Sequence, residues 1–271
     1  MTVSLLVPGP SRSPPRGTIP IRAFLCDTYG TVCDFYQPLK RAFAQLAQAH
    51  AVACDAGALA IAWRTAYINA IAHHVSRGLP FRPLAAIHRD NLQVLLAREF
   101  PVSVSATEID LLVAVWDQLE PWPDVAIGLA ELRELAIIAP LSNGNFNAML
   151  SLALHASLPW VVILGSSLAR AYKPHPDVYL MAAAALNLAL EQTCLVAAHQ
   201  SDLAHGASHG MQTAFVIRPL EFGGATQAHP ALTAPDQPPA AEIYPVADWT
   251  YIARDLPDLA RQVRADRDRN E

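Results

Sequence analysis

Five short apolar runs recur along this chain, and each ends in polar or turn-forming residues. The runs occupy residues 21–26, 136–141, 161–165, 193–198 and 212–217. From residue 121 onward, segments with helical periodicity alternate with them. Buried strands of a parallel sheet have this length and this alternation with helices, because crossover helices cover both faces of such a sheet. The sequence therefore predicts an α/β fold.

A long helical stretch interrupts this alternation after the first apolar run. Residues 36–120 contain four amphipathic segments and no convincing strand between them. We predict an α/β core at 21–35 and 121–271, with an all-helical insertion at 36–120. Residues 1–20 are predicted to be a flexible leader, residues 223–241 an irregular loop, and 248–263 a terminal helix.

The composition excludes several classes of protein. Apolar residues make up 52% of the chain and charged residues 16%, so a large core can be buried. The net charge is −5 and no block of Lys or Arg occurs, which argues against binding to nucleic acid or to an anionic membrane. Residues 135–169 carry no charge, but Pro, Asn and Gly interrupt them before a membrane span is reached. Four cysteines without a CxxC pair favour a reduced, cytoplasmic protein.

Polar side chains follow the predicted strands or begin the helices after them. The residues are Asp27, Thr31, Ser142, Asn143, Lys173, His199 and Asp202. Singly, each is typical of a turn, a helix cap or a solvated surface. Together they meet at one edge of the sheet, because the carboxyl ends of parallel strands lie there. A nearby lysine would lower the pKa of an aspartate, so the set predicts a carboxylate nucleophile.

Four sequence motifs in this order resemble those of the haloacid dehalogenase superfamily. They are CDTYGTVCD at 26–34, LSNGN at 141–145, AYKPHPDVY at 171–179 and VAAHQSD at 196–202. The resemblance covers residues 21–261, and WRTAY at 63–67 makes it closest to the L-2-haloacid dehalogenases. It implies a Rossmann-like parallel-sheet core with an inserted all-helical cap at 36–120. It also implies a homodimer as a possible assembly.

Two departures from the superfamily's phosphatases bear on metal binding. Those enzymes hold Mg²⁺ with the nucleophile, with an acid two residues later and with an acid in the fourth motif. Here Tyr29 and Ala198 stand at the latter positions. We therefore expect no metal and no cofactor. The alternatives are a Mg²⁺-dependent phosphatase and a catalytically idle binding domain. Six other histidines have no common metal-binding spacing and are expected to be exposed or helix-capping: His73, His74, His88, His175, His205 and His209.

The resemblance implies a two-step hydrolysis at Asp27. Asp27 would attack C2 of a short 2-haloalkanoic acid, form an ester and release halide. Asp202 would then orient or activate the water that releases a 2-hydroxy acid. Thr31 and Lys173 would position Asp27 and keep it anionic, with Tyr179 on the same side of the pocket.

On the substrate side, the resemblance implies that Arg64 reaches down from the cap. Arg64 would cradle the departing halide, helped by the amide of Asn143. Ser142 and the backbone N–H of Thr28 would hold the substrate carboxylate, and Tyr29 is counted among the same substrate-binding residues.

The fourth motif differs from the best-known family pattern at two positions. A serine and an asparagine of the family correspond to Ala197 and His199. Ala197 lacks a hydroxyl near the lysine and the water. His199 either replaces the asparagine or acts as a base beside Asp202, and its pKa could fall in the working range.

Overall fold

The computed structural model describes residue 14, residues 16–224 and residues 244–270. Most of the predicted leader at 1–20 and of the predicted loop at 223–241 lies outside these residues.

Two strands precede a block of four helices in the described chain, and strands and helices alternate after it. The strands are β1 (Ala23–Cys26), β2 (Cys33–Asp34), β3 (Glu120–Pro121), β4 (Ile137–Ser142), β5 (Leu164–Gly165), β6 (Thr193–Ala197), β7 (Gln212–Val216) and β8 (Tyr251–Ala253). The helices are α1 (Tyr36–Ala49), α2 (Ala56–Arg77), α3 (Leu84–Glu99), α4 (Ala106–Ala114), α5 (Val125–Leu135), α6 (Phe146–His155), α7 (Ser166–Ala169), α8 (Pro176–Ala185), α9 (Gln200–Ser208) and α10 (Leu256–Asn270).

A six-stranded parallel sheet forms the core, in the order β5-β4-β1-β6-β7-β8. Strand β1 lies between β4 and β6, so that Leu25 pairs with Ala139 on one side and Leu195 on the other. These three side chains are fully buried, as expected when helices cover both faces of a parallel sheet. The predicted Rossmann-like α/β fold is confirmed. The order also places the ends of β1, β4 and β6 side by side.

Helices α1 to α4 separate β2 from β3 and match the four predicted helical segments. The sequence did not predict β2 and β3, which pair antiparallel as a two-residue ribbon at the base of this helical block.

The centre of the helical block is aromatic. It contains Trp63, Tyr67, His88 and Trp116, and the rings of His88 and Trp116 stack with 4.3 Å between their centroids. His88 was expected to be exposed or capping. It is instead buried, and burial lowers its pKa to about 3.

The C-terminal segment corrects a second prediction. Residues 248–263 were predicted to be one helix, but Tyr251–Ala253 is the edge strand β8 and the helix begins at Leu256. Strand β8 pairs with β7 through Ala214 and Tyr251. Pro257 lies in the first turn of α10, where its missing N–H costs no hydrogen bond. In the interior of a longer helix the same residue would remove a hydrogen bond, so the helix begins next to it.

No helix in the described residues is both long and apolar enough to cross a membrane. All four cysteines are free, and Cys26, Cys33 and Cys194 are buried.

Helices α5 and α10 pack closely at Gly128. A Cβ added there would lie 2.2 Å from Leu256 Cβ and 2.8 Å from its carbonyl carbon. We expect Gly128→Ala to lower the free energy of unfolding by about 1–3 kcal/mol, because overpacking outweighs the better helix propensity of alanine. Urea denaturation measures this. Ala130→Gly, at an exposed site on the same helix, gives the propensity contribution alone. A more stable Gly128→Ala variant would contradict the close approach.

Candidate active site

Asp27 follows β1 directly, and its carboxylate is buried at the carboxyl edge of the sheet. Its backbone N–H donates to Val196 O on β6 at 2.9 Å. The Thr31 hydroxyl donates to Asp27 Oδ2 at 2.7 Å and accepts the backbone N–H of Ala198 at 2.9 Å. Thr31 therefore joins the loop after β1 to the loop after β6 and fixes the orientation of the carboxylate.

Residues that sequence reasoning missed donate hydrogen bonds to the backbone of the loop that carries Asp27 and Thr31. Arg218, just after β7, donates its Nε–H to Thr31 O at 2.8 Å. The same guanidinium contacts both carboxylate oxygens of Asp124, at 2.6 and 3.0 Å. Trp122 Nε1 donates to Gly30 O at 2.9 Å. These residues lie outside the motifs, and only the fold brings them under the loop.

Lys173 joins the two carboxylates of the site. Its Nζ donates to Asp27 Oδ1 at 2.9 Å and to Asp202 Oδ2 at 2.5 Å. Tyr179 OH donates to Asp202 Oδ1 at 2.7 Å. The Asn143 side chain accepts the Lys173 backbone N–H at 2.8 Å. Asn143 thus holds the lysine loop beside β4, a contact that the sequence did not predict.

His199 contacts Asp27 and Glu221. Its Nδ1 lies 3.1 Å from Asp27 Oδ2, and its Nε2 lies 2.8 Å from Glu221 Oε1. No hydrogen bond joins His199 to Asp202 in the described structure, so the placement of His199 as a base beside Asp202 has no contact to support it. Sequence reasoning also missed Glu221, because it lies beyond the fourth motif and carries no local signal.

Charge pairing outweighs burial at the ionisable groups of this cluster. Burial alone would raise the pKa of Asp27, but the Lys173 charge and the His199 contact hold that pKa well below its usual range. Burial would likewise lower the pKa of Lys173, but the charges of Asp202 and Asp27 raise it. Burial would lower the pKa of His199, yet the charge of Glu221 and the hydrogen bond to Asp27 raise it well above the usual value. Asp27 is therefore ionised at neutral pH.

Arg64 extends from α2 toward the sheet edge and is buried. Its Nη2 lies 3.4 Å from Tyr29 O, 3.4 Å from His199 Nε2 and 3.7 Å from Glu221 Oε1. Its guanidinium carbon sits 4.8 Å from the ring centre of Tyr67. Arg64 Nε and Nη1 have no hydrogen-bond partner in the described structure. A buried cation with free N–H groups suits an anionic ligand.

A cavity of about 180 Å³ separates α2 from the sheet edge. Seven predicted site residues line it: Asp27, Arg64, Asn143, Lys173, Tyr179, His199 and Asp202. Its remaining lining residues are Tyr67, Ile68, Ile71, Ala72, Pro174, Ser201 and His205. Apolar side chains of α2 thus face the charged groups of the sheet across this space.

Four predicted site residues do not line this cavity. Thr31 lies behind Asp27, as described above. The hydroxyl of Ser142 accepts the N–H of Gly144 at 3.1 Å, and Thr28 is fully buried. The ring of Tyr29 packs edge-on against Trp116 with 5.1 Å between centroids. Their predicted roles toward substrate remain predictions.

The described residues contain no group of three or more His, Cys, Asp or Glu side chains arranged to hold a metal ion. Tyr29 and Ala198 carry no carboxylate where the phosphatase pattern has one.

The family model described as haloacid dehalogenase-like hydrolase matches residues 21–210. The chain belongs to this family. The hydrolase is similar to the crystal structure of the defluorinating L-2-haloacid dehalogenase Rha0230, with a TM-score of 0.82 and 37% identity over 94% of this chain and 99% of that one. This similarity confirms that the hydrolase is a member of the L-2-haloacid dehalogenases.

Two curated relatives of this hydrolase are named (S)-2-haloacid dehalogenases. (S)-2-haloacid dehalogenase 1 of Pseudomonas sp. (strain CBS-3) is 27% identical over 226 residues, or 78% of this chain and 92% of that protein. (S)-2-haloacid dehalogenase of Xanthobacter autotrophicus is 29% identical over 109 residues, which span 40% of this chain and 43% of that protein.

The hydroxyl of Thr31 offers a test of the site's architecture. We expect Thr31→Val to lower the free energy of unfolding by about 1–3 kcal/mol, because the buried N–H of Ala198 loses its acceptor. Thr31→Ser keeps the hydroxyl and serves as the matched control. Chemical denaturation of both variants measures the difference. Equal stability of the Val and Ser variants would contradict the two hydrogen bonds.

Proposed function

We propose that this hydrolase is a metal-independent dehalogenase of short 2-haloalkanoic acids, which acts through an ester on Asp27 and gives a 2-hydroxy acid and halide. One observation carries the proposal. A buried carboxylate is kept ionised by Lys173 and His199, and it lines a cavity whose opposite wall holds the cation Arg64. The names of the relatives support the substrate class, since each refers to 2-haloacids.

The first step is a displacement at carbon. A carboxylate oxygen of Asp27 attacks C2 of the substrate, a C–O bond forms, and the C–halogen bond breaks with its electron pair leaving on the halide. The carboxylate needs no base to activate it, because it is already ionised. Lys173 and Thr31 hold it in place for attack.

Arg64 is the group that we assign to the departing halide. Negative charge grows on the halogen as the bond breaks, and a buried guanidinium with two free nitrogens can meet that charge. The apolar side chains Ile68 and Ile71 line the same cavity and limit the water that could compete for the halide. Asn143 also lines the cavity, and we assign its side-chain amide to the departing halide together with Arg64.

The second step returns Asp27 to its starting state. Water attacks the ester carbonyl of Asp27, the bond from that carbonyl carbon to the ester oxygen breaks, and the 2-hydroxy acid leaves. Asp202 lines the cavity and is oriented by Lys173 and Tyr179, so we assign it to the water. Asp202 takes one proton from the attacking water and passes it to the departing alkoxide oxygen, and the proton left on the re-formed carboxyl group of Asp27 goes to solvent.

The contacts of Lys173 support a metal-free mechanism. Its ammonium lies between Asp202 and Asp27, and Asp27 is the one carboxylate that remains from the phosphatase pattern. A divalent ion shared by these carboxylates would lie next to that positive charge. With Tyr29 and Ala198 at the other two positions, the Mg²⁺-dependent phosphatase is the weaker alternative. A catalytically idle domain is disfavoured, because burying this many charges without a use is costly.

Location and assembly belong to the same proposal. The free cysteines support the cytoplasm, where thiols stay reduced. A homodimer is implied by the family resemblance, and sedimentation equilibrium that gives a monomer at micromolar concentration would exclude it.

Asp27→Asn tests the covalent mechanism. We expect wild-type protein to release halide from racemic 2-chloropropionate in the presence of EDTA and to stop near half conversion. Asp27→Asn is expected to release none, because the amide is a poor nucleophile. Ion chromatography measures the halide, and Asp90→Asn, on the exposed surface, is the control. Release by Asp27→Asn at the wild-type rate would remove the mechanism. Halide release by wild-type protein that EDTA abolishes would contradict metal independence, and absence of release with or without EDTA, together with Mg²⁺-dependent phosphatase activity, would favour the phosphatase.

Arg64→Ala tests the assignment of the halide site. We expect the activation free energy of the first step to rise by about 2–4 kcal/mol, by analogy with the removal of an oxyanion-hole donor. Single-turnover halide release measures it, and circular dichroism checks the fold. Arg98→Ala removes an exposed arginine of α3 and should leave the rate unchanged. Unchanged kinetics in Arg64→Ala would place this residue outside the reaction.

A further inference from the structure

Glu221 is a buried carboxylate that the proposed mechanism does not yet use. Glu221 lies in the turn after β7 and is only 4% exposed to solvent. Its Oε1 is 2.8 Å from His199 Nε2 and 3.7 Å from Arg64 Nη2. A carboxylate in such a position is costly to bury unless cations face it.

The loop of Asp27 is shaped to admit Glu221. Gly30 lies in this loop with a φ of 91°, and a Cβ added there would lie 2.1 Å from Glu221 Oε1. Only a residue without a side chain leaves this space for the carboxylate. The contact between Glu221 and His199 is therefore built into the backbone of the loop.

The closest contacts of His199 indicate its proton count, because Nε2 lies 2.8 Å from Glu221 Oε1 and the donor Arg64 Nη2 is farther from Nε2, at 3.4 Å. Nδ1 faces a carboxylate oxygen of Asp27 and Nε2 faces a carboxylate oxygen of Glu221. Ionised carboxylates only accept hydrogen bonds, and a neutral imidazole has one N–H and one lone pair. A neutral His199 would turn its lone pair toward one of the two anions. Only the imidazolium donates to both.

We propose that Glu221 is a positioning residue that holds His199 as an imidazolium with its Nδ1–H donated to Asp27, so that His199 supports the nucleophile as a cation and does not act as a base. The catalytic part of this inference rests on the proposed function. The protonation state of His199 does not.

The charged groups around His199 explain the expected pH dependence. Asp27, after β1, and Glu221, after β7, favour the proton, whereas Arg64 on α2 and the positive end of α9 oppose it. Lys173 and Asp202 lie one contact further away, behind Asp27. The two anions in direct contact dominate, and they raise the pKa of His199 well above its usual value.

Loss of the His199 proton removes a positive charge from the cavity and leaves a lone pair against a carboxylate. Both changes oppose the entry of a monoanionic 2-haloacid, so activity should fall as pH rises through the pKa of His199. A base role predicts the opposite, because a base must be neutral and activity would then fall on the acid side. The sign of the pH dependence separates the two roles.

The first experiment measures the proton directly. Histidine-¹⁵N labelled protein is titrated from pH 6 to pH 10, and the ring nitrogens of His199 are followed by NMR, with His199→Gln for assignment. We expect wild-type His199 to stay an imidazolium well above the usual histidine pKa of about 6.5. Glu221→Gln should lower its midpoint by at least one pH unit, roughly a tenfold change in the dissociation constant. Glu134→Gln, exposed on α5, should leave it unchanged.

Two results would overturn the proposal: a wild-type His199 that titrates near 6.5 or below, and a midpoint that Glu221→Gln does not move. If Glu221→Gln fails to fold, as judged by circular dichroism, the wild-type titration alone decides.

The second experiment follows kcat/KM for halide release from 2-chloropropionate against pH. The alkaline limb should coincide with the NMR midpoint and move to lower pH in Glu221→Gln by the same amount. An acid limb that follows His199 would overturn the proposal. Absence of halide release from any 2-haloacid, together with the expected titration, would instead refute the proposed function and leave the state of His199 established.

Discussion

The structure is arranged around one carboxylate that stays ionised although it is buried. Removing Asp27 from water favours its protonated form, and only cations in direct contact reverse that preference. Lys173 supplies one from the loop before α8, and His199 another from the end of β6. These cations are buried in turn, so each needs an anion of its own. Asp202 pairs with Lys173 and Glu221 pairs with His199, so negative and positive groups alternate outward from Asp27.

The helical block supplies what the sheet edge lacks. The strand ends bring carboxylates, an ammonium and an imidazole, but no apolar wall and no free cation on the far side of the cavity. Helix α2 brings Ile68 and Ile71 together with Arg64. Since Arg64 also contacts Tyr29 O and approaches Glu221, the insertion is tied to the core by charge at the same point where it closes the cavity.

Much of this arrangement could be predicted from sequence because it is local. Parallel strands and the polar residues at their ends follow from runs of apolar residues, and the motif order places Asp27, Lys173 and Asp202 together. Contacts between distant segments could not be read in this way. Glu221 and Arg218 lie in a turn with no motif, and their partners become neighbours only when β7 pairs with β6. The burial of His88 likewise depends on how the helices of the insertion pack, and helical periodicity does not reveal that.

The approach of Arg64 to His199 couples the shape of the cavity to a proton. The guanidinium lies 3.4 Å from His199 Nε2 and repels the charge on that ring. A movement of α2 away from the sheet would relieve this repulsion, so His199 would hold its proton more tightly when the cavity is open. Linkage is reciprocal, and protons must then favour the open arrangement as much as opening favours the proton. An outward movement of α2 would thus be linked to the proton of His199, and substrate entry past this helix would depend on pH before any bond is broken.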